Sequence, residues 1–209
     1  MSQYFVIHPK RAQKRLIQRA VQIIDQGGLI VYPTDSCYAL GCHIGDKHAM
    51  QRIRRIRQVN EKHHFTLVCR DLSELSTYAM VDNSAYRLMK RCTPGPYTFL
   101  LKATHEVPRR LLSPKRRTIG LRVPDHAVAL QLCEELGGPL MSSTLILPGD
   151  AEPMSDPQTM RERLEHEVDL VIDGGYCGVK ATTVINLTTE SPTIERQGKG
   201  DTGWLVDAA

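Results

Sequence analysis

The sequence predicts an α/β fold built as one unit, and three observations carry that reading. Short apolar runs rich in β-branched residues alternate along the chain with longer segments of helical periodicity. The 209 residues contain no Pro/Gly/Ser-rich or single-sign stretch that would divide them, which predicts a single domain over 1–209. A composition of 41% hydrophobic and 24% charged residues supplies a core and excludes a disordered chain.

The elements follow in order. Tyr4 to Ile7 reads as a strand. Arg11 to Gln26 reads as a helix, because Ala12, Leu16, Ala20, Ile23 and Ile24 recur at helical spacing before Gly27 and Gly28 stop it. Leu29 to Tyr32 is a buried strand running into Pro33, Thr34, Asp35 and Ser36, small polar groups at the strand end where α/β sheets place ligands. The chain then passes Gly41 and Gly45 to a helix from Asp46, its N-cap, to Arg57, with Ala49, Met50, Ile53 and Ile56 facing the core. Arg55 falls away from that apolar stripe and Arg57 near it, so the two arginines need not share a job.

Phe65 to Cys69 is a strand, Asn83 to Cys92 a helix, Tyr97 to Ala103 a strand, and Thr118 to Val123 a strand closing on Pro124. His126 to Leu136 is a helix ended by glycines. Leu140 and Met141 lead into Ser142, Ser143 and Thr144, hydroxyls that strand alternation splits between two faces, so at least one must be satisfied internally or by a ligand. Pro157 to His166 is a helix, and Val168 to Asp173 and Thr182 to Leu187 are strands.

Charge is distributed unevenly. Residues 1–122 carry 22 Lys+Arg and 8 Asp+Glu, a net +14, whereas 123–209 carry 5 and 15, a net −10. Two clusters dominate: Arg52, Arg54, Arg55, Arg57 and Lys62, then Arg109, Arg110, Lys115, Arg116, Arg117 and Arg122. Such clusters serve either as solvated faces or as phosphate-binding surfaces. No segment approaches the ~20 apolar residues of a membrane span, and the first 15 residues place basic groups after the apolar stretch, which predicts a cytoplasmic protein without a membrane partner. The six cysteines form no CxxC pair and the eight histidines no HExxH, so they are read as reduced packing residues, with no metal site made by protein alone.

Several segments in this order resemble the YrdC/YciO family of threonylcarbamoyl-adenylate synthases, over about residues 11–200 and closest to its YciO branch. The segments are GGLIVYPTDSCYALG (Gly27 to Gly41), RRIR (Arg54 to Arg57) with DLSEL, PGPYTFLL (Pro94 to Leu101), LRVPDH (Leu121 to His126), GPLMSST (Gly138 to Thr144), VDLVIDGG (Val168 to Gly175), and TTVINL with ERQG. The resemblance implies a twisted mixed sheet with flanking helices and a basic concave surface. It also implies an activity joining ATP, bicarbonate and L-threonine into threonylcarbamoyl-AMP with release of pyrophosphate, for modification of a tRNA adenosine, and affinity for double-stranded RNA.

Carried over by position, the resemblance implies catalytic roles for Arg55 and Arg57. It places Thr34, Arg57, Arg122, Ser142 and Thr144 on the substrate, and Lys62 or His63, Ser142, Thr144, Thr182 and Arg196 on the nucleotide. It leaves Arg109, Arg110, Lys115, Arg116 and Arg117 as either RNA contacts or a solvated loop. The chemistry suits these residue types independently: attack of a carbamate oxygen on an α-phosphate needs two anions brought together and charge spread over cations and donors, with no covalent enzyme nucleophile. Magnesium would come with the nucleotide, and the chain has no GxxxxGK[ST] loop, so ATP would not be bound as in P-loop proteins.

Two departures qualify this. Arg55-Ile56-Arg57 stands where the family commonly has Lys-x-Arg, and the family's Ser-Thr-Ser-Ala-Asn loop is here Ser142-Ser143-Thr144-Leu145-Ile146, so an amide has become an isoleucine without hydrogen-bonding groups. The alternative function is therefore a non-catalytic paralogue that binds a nucleotide or double-stranded RNA. On residues alone, Thr34 is either a turn residue or a ligand. Arg57 and Arg122 are predicted near apolar surroundings where an anion would relieve a buried guanidinium. Trp204 is read as a tail anchor.

Overall fold

The computed structural model describes residues 1–60, 63–112 and 117–206. Its strands are β1 (Gln3–Val6), β2 (Ile30–Tyr32), β3 (Ala39–His43), β4 (Thr66–Val68), β5 (Tyr97–Lys102), β6 (Thr118–Arg122), β7 (Leu140–Thr144), β8 (Leu170–Asp173), β9 (Thr183–Asn186) and β10 (Thr193–Arg196). They form one twisted ten-stranded sheet in the order β1-β8-β2-β3-β7-β4-β6-β5-β9-β10. The sheet is mixed: β1, β8 and β2 run parallel, as do β4 with β6 and β5 with β9, while the remaining neighbours are antiparallel.

Six helices flank it: α1 (Lys14–Asp25), α2 (Lys47–Arg57), α3 (Leu72–Tyr78), α4 (Asn83–Cys92), α5 (Ala127–Leu136) and α6 (Pro157–Leu164), followed by the single turn α7 (Gly203–Val206). On one face, α1 and α5 bury Ile17, Ile24, Val128 and Leu132 against Ile30, Tyr32, Val68, Leu140 and Leu170. On the other, α2, α3, α4 and α6 bury Ile53, Leu75, Met89 and Met160 against Val31, Leu40, Leu67, Phe99, Leu121 and Met141. Burial of each apolar side chain is worth ~1.5–3 kcal/mol, so the two layers are what hold the sheet.

Local chemistry sets the boundaries. Asp46 caps α2 by accepting from the Ala49 N–H at 2.9 Å, and Asp71, Asp82 and Asp156 cap α3, α4 and α6 in the same way. Helix α1 begins three residues later than the periodicity suggests, at Lys14, because no Ser, Thr, Asp or Asn is available to cap it earlier and Gln13 makes no side-chain cap bond. Besides the single turns at Arg109–Leu111 and Gly203–Val206, three elements have no counterpart in the sequence reading. Strand β3 carries Gly41 in its middle, which reads as a loop; the glycine is needed because a Cβ there would meet the Tyr32 ring at 2.7 Å. Helix α3 is too short to show a period, and β10 is an exposed edge strand without apolar alternation.

The charge asymmetry is partly consumed inside the fold. Arg52 pairs with Asp169 at 2.7 Å and Arg55 with Glu167 at 2.8 Å, so arginines of the basic half meet carboxylates of the acidic half. Among the described residues, no helix is long and apolar enough to cross a membrane. The cysteines are free; five are buried, and burial pushes the thiols of Cys133 and Cys177 up to about 12. Trp204 donates to the Asp201 carbonyl at 2.8 Å and lies under the Arg91 guanidinium, anchoring the C-terminal turn.

Candidate functional site

The face covered by α1 and α5 is left open further along the sheet. Gly41, Ser142, Thr66 and Gly120 are in register across β3, β7, β4 and β6 and therefore share that face, with Leu100 beside Gly120 on β5. Strand β4 has only three residues, so Ser143 and Thr144 of β7 extend beyond it without a β4 partner. A cavity of about 640 Å³ occupies this place, in the range of small-molecule sites.

Eight expected site residues line the cavity: Thr34, Arg57, His63, Arg122, Ser142, Thr144, Thr182 and Arg196. They converge from strand ends and loops distant in sequence. Arg55 does not join them. Two residues before Arg57 on α2, it lies around the helix, two-thirds exposed and paired with Glu167, so its expected catalytic role is corrected to a surface ion pair. Arg109 and Arg110 are exposed on a 3-10 turn at Arg109–Leu111, and Arg117 is exposed before β6; none lines the cavity. Lys62, Lys115 and Arg116 lie outside the described residues.

Arg57 reaches the cavity as the last residue of α2. Its Nη1 donates to Ser143 Oγ at 2.6 Å and lies 3.2 Å from His63 Nε2, while its Nε donates to the Ile146 carbonyl at 3.4 Å. His63 Nε2 and Ser143 Oγ are 2.9 Å apart, which closes a triangle. Burial, and then the adjacent Arg57 charge, lower His63 to about 4. The imidazole is therefore neutral at physiological pH, and because a guanidinium can only donate, Nε2 is the acceptor toward Arg57. Burial, and to a lesser degree the Arg196 charge, also lower Arg57, so an anion beside this guanidinium would relieve it.

Arg196 is held from behind. Its Nε and Nη2 donate to the Thr182 carbonyl at 3.2 and 2.9 Å, and the Thr182 hydroxyl bonds the Thr98 hydroxyl at 2.8 Å. Gly198 makes this packing possible, since a Cβ there would stand 2.3 Å from the Thr182 carbonyl.

Arg122 differs from expectation, because the anion it meets is supplied by the protein. Its Nη2 forms a very short ion pair with Asp35, its Nη1 donates to Ser36 Oγ at 3.2 Å, and both partners of the pair are 9% exposed. Asp35 is fixed in turn by the Asp125 N–H at 3.0 Å. Arg122 Nε remains buried without a partner.

The hydroxyls divide their work. Thr34 Oγ1 donates to the Cys37 carbonyl at 2.6 Å and accepts from the Ser36 and Cys37 N–H groups, so the turn reading holds for its hydroxyl although the residue lines the cavity. Ser142 bonds the buried Tyr32 hydroxyl at 2.7 Å and the Leu40 carbonyl at 3.3 Å, so internal partners use its hydroxyl. Ser143, one residue on and facing the other way, is the serine that engages Arg57.

Sequence reasoning missed Ser143, Lys180, Thr98 and Glu152 of the lining. Thr98, a polar residue within an apolar strand, was a usable signal. Lys180 sits in an irregular segment that no period marks. Arg57, Arg122, Lys180 and Arg196 stand with one carboxylate, Glu152, among the described lining residues, so the described lining carries an excess of basic groups. No cluster of three or more His, Cys, Asp or Glu suited to a metal is found among the described residues.

Comparison with known proteins identifies the family and the fold. A family model for Sua5, YciO and YrdC proteins, described as telomere recombination, matches residues 22–198. An Escherichia coli K12 protein, Uncharacterized protein YciO, is 61% identical over 96% of this chain and 98% of its own, and the crystal structure of E. coli YciO superposes with a TM-score of 0.94 over 97% and 98% of the two chains at 60% identity. A threonylcarbamoyl-AMP synthase of Vibrio vulnificus is 28% identical over 76% of this chain and 86% of its own. The P. abyssi Sua5 structure complexed with L-threonine matches with a TM-score of 0.85 at 27% identity, over 93% of this chain and 57% of that one. A ten-stranded mixed sheet with this open face, the matched segments and these relatives lead to one assignment: the chain belongs to the Sua5/YciO/YrdC family.

Proposed function

We propose that this chain is a cytoplasmic threonylcarbamoyl-AMP synthase-like protein that binds ATP and a small amino acid, L-threonine by analogy with its relatives, in the cavity around Arg57. The observation that carries the reading is the convergence of Arg57, Lys180 and Arg196 with a hydroxyl rim in one cavity large enough for a nucleotide. In the proposed reaction, threonine and bicarbonate give a carbamate with loss of water. A carbamate oxygen then bonds the α-phosphorus of ATP as the bond to pyrophosphate breaks.

Arg57 and Arg196 would spread the charge of the crowded phosphorus, and their fixed partners, Ser143 with His63 and the Thr182 carbonyl, hold them ready. Arg122, buried with an unpartnered Nε, would orient a carboxylate. Magnesium would arrive with the triphosphate, and Glu152, the one carboxylate among the described lining residues, would be the protein group suited to hold it.

Ile146 favours the second reading, a nucleotide- or double-stranded-RNA-binding paralogue without synthesis. It lines the cavity with an aliphatic side chain, and only its backbone carbonyl bonds Arg57. Incubation of the protein with ATP, magnesium, bicarbonate and L-threonine separates the two. Pyrophosphate release dependent on all four supports the enzyme. ATP binding without release, restored to turnover by Ile146→Asn, supports the paralogue.

A further inference from the structure

At one edge of the sheet, outside the strands that line the cavity, β1 is an outermost strand that pairs only with β8. The Gln3 and Ile7 N–H groups donate inward to the Asp169 and Asp173 carbonyls at 2.9 and 2.8 Å. Strand alternation therefore turns the N–H and C=O groups of Tyr4 and Val6 outward, toward no neighbouring strand. Edges are ordinarily protected by charge, proline or a bulge. The β1 sequence QYFV has none of these, and Val6 is 64% exposed.

Beside this edge, β1 and α1 enclose a groove of about 660 Å³ with Phe5 and Leu16 as its apolar floor and Arg15 and Arg19 on its wall. The segment from His8 to Ile24 carries Lys10, Arg11, Lys14, Arg15 and Arg19 and no acid. Among the described residues, none of these five forms a salt bridge.

We propose that the β1 edge and its groove form a docking site for an extended acidic peptide segment of a partner protein, which adds as a further strand of the sheet. The outward groups of Tyr4 and Val6 would pair with its backbone, and the side chains at its groove-facing alternate positions would supply both apolar groups to the floor and carboxylates to Arg15 and Arg19. A second copy of the chain fits less well, because pairing β1 with β1 brings two sets of these cations together. An RNA duplex offers neither a strand-spaced row of backbone donors nor apolar groups for the floor.

The test is titration of a labelled peptide of about ten residues in which every second residue is threonine and the positions between carry valine and glutamate in turn, so that one face bears both, with amide hydrogen exchange followed at Tyr4 and Val6. Binding should protect both amides. Val6→Pro removes one outward donor without touching the β8 ladder and should weaken binding about fivefold. Arg15→Glu with Arg19→Glu should weaken it about tenfold or more, and the same peptide with lysine in place of glutamate should not bind. Three results would overturn the proposal: absence of protection at Tyr4 and Val6, an unchanged affinity in Val6→Pro, or protection produced instead by self-association or by an RNA duplex.

Discussion

Replacing Asp35 with alanine probes the join between fold and site. Its carboxylate holds Arg122 through Oδ1 and the Asp125 N–H through Oδ2, in a pair 9% exposed on each side. Deleting it leaves a buried guanidinium with Ser36 Oγ as its remaining side-chain partner and Nε already unpartnered. Breaking a buried pair in this way costs ~3–5 kcal/mol. For a domain of this size, each kcal/mol shifts Tm by about 2–4 °C, so the variant should melt about 6–20 °C lower.

The stranded cation should also make the variant depend more on an anion from outside. A carboxylate or phosphate ligand of the cavity should raise the Tm of Asp35→Ala by more than it raises that of the wild type. Asp35→Asn, which keeps an acceptor but no charge, should fall between the two. Differential scanning calorimetry with and without ligand reads both effects. A loss below ~1 kcal/mol, together with equal ligand shifts in the two proteins, would refute the idea that Asp35 neutralises a buried Arg122 charge.

Other expectations follow from the same geometry. Gly198→Ala would drive a methyl group into the Thr182 carbonyl that holds Arg196, so nucleotide affinity measured by calorimetry should fall by at least about tenfold while the circular dichroism of the sheet persists. His63, at about 4 in the fold against an ordinary 6.5, leaves the unfolded chain binding more protons between those values. Its contribution is present above pH 6.5 and lost as the pH falls toward 4, and denaturant melts should show a shallower acid slope in His63→Gln. If the exposed arginines bind RNA, log K against log salt should slope by about −0.9 per phosphate contacted, the value for B-DNA, and replacing Arg109, Arg110 and Arg117 should flatten it by up to about 3 units; an unchanged slope leaves them as a solvated loop.

Legibility in the sequence followed chemistry at two scales. Long amphipathic helices such as α4, and strands such as β5, were readable because period and burial coincide along the chain. The arginines were readable as a class, but their fates were not, because these depend on which partner arrives in space. Arg52 and Arg55 meet acids more than a hundred residues away, while Arg57, on the same helix, meets Ser143 and His63. The run Ser142-Ser143-Thr144 announced that hydroxyls would face both ways. Only the register of β7 against β3 and β4 decides that Ser142 goes to Tyr32 and Ser143 to Arg57. Asp35, in the sequence one of several small polar groups at a strand end, is the partner of Arg122 because the turn closed by Thr34 presents it there.

The central claim is that the cavity around Arg57 receives the phosphates of a nucleotide. Calorimetric titration of ATP with magnesium into the wild type and into Arg57→Ala tests it most directly, with circular dichroism confirming that both are folded. Charge-assisted hydrogen bonds to phosphate are worth ~1.5–3 kcal/mol each, so the wild type should bind at a single site and Arg57→Ala should bind about tenfold or more weakly. No binding by the wild type, or equal affinity in the two proteins, would contradict it.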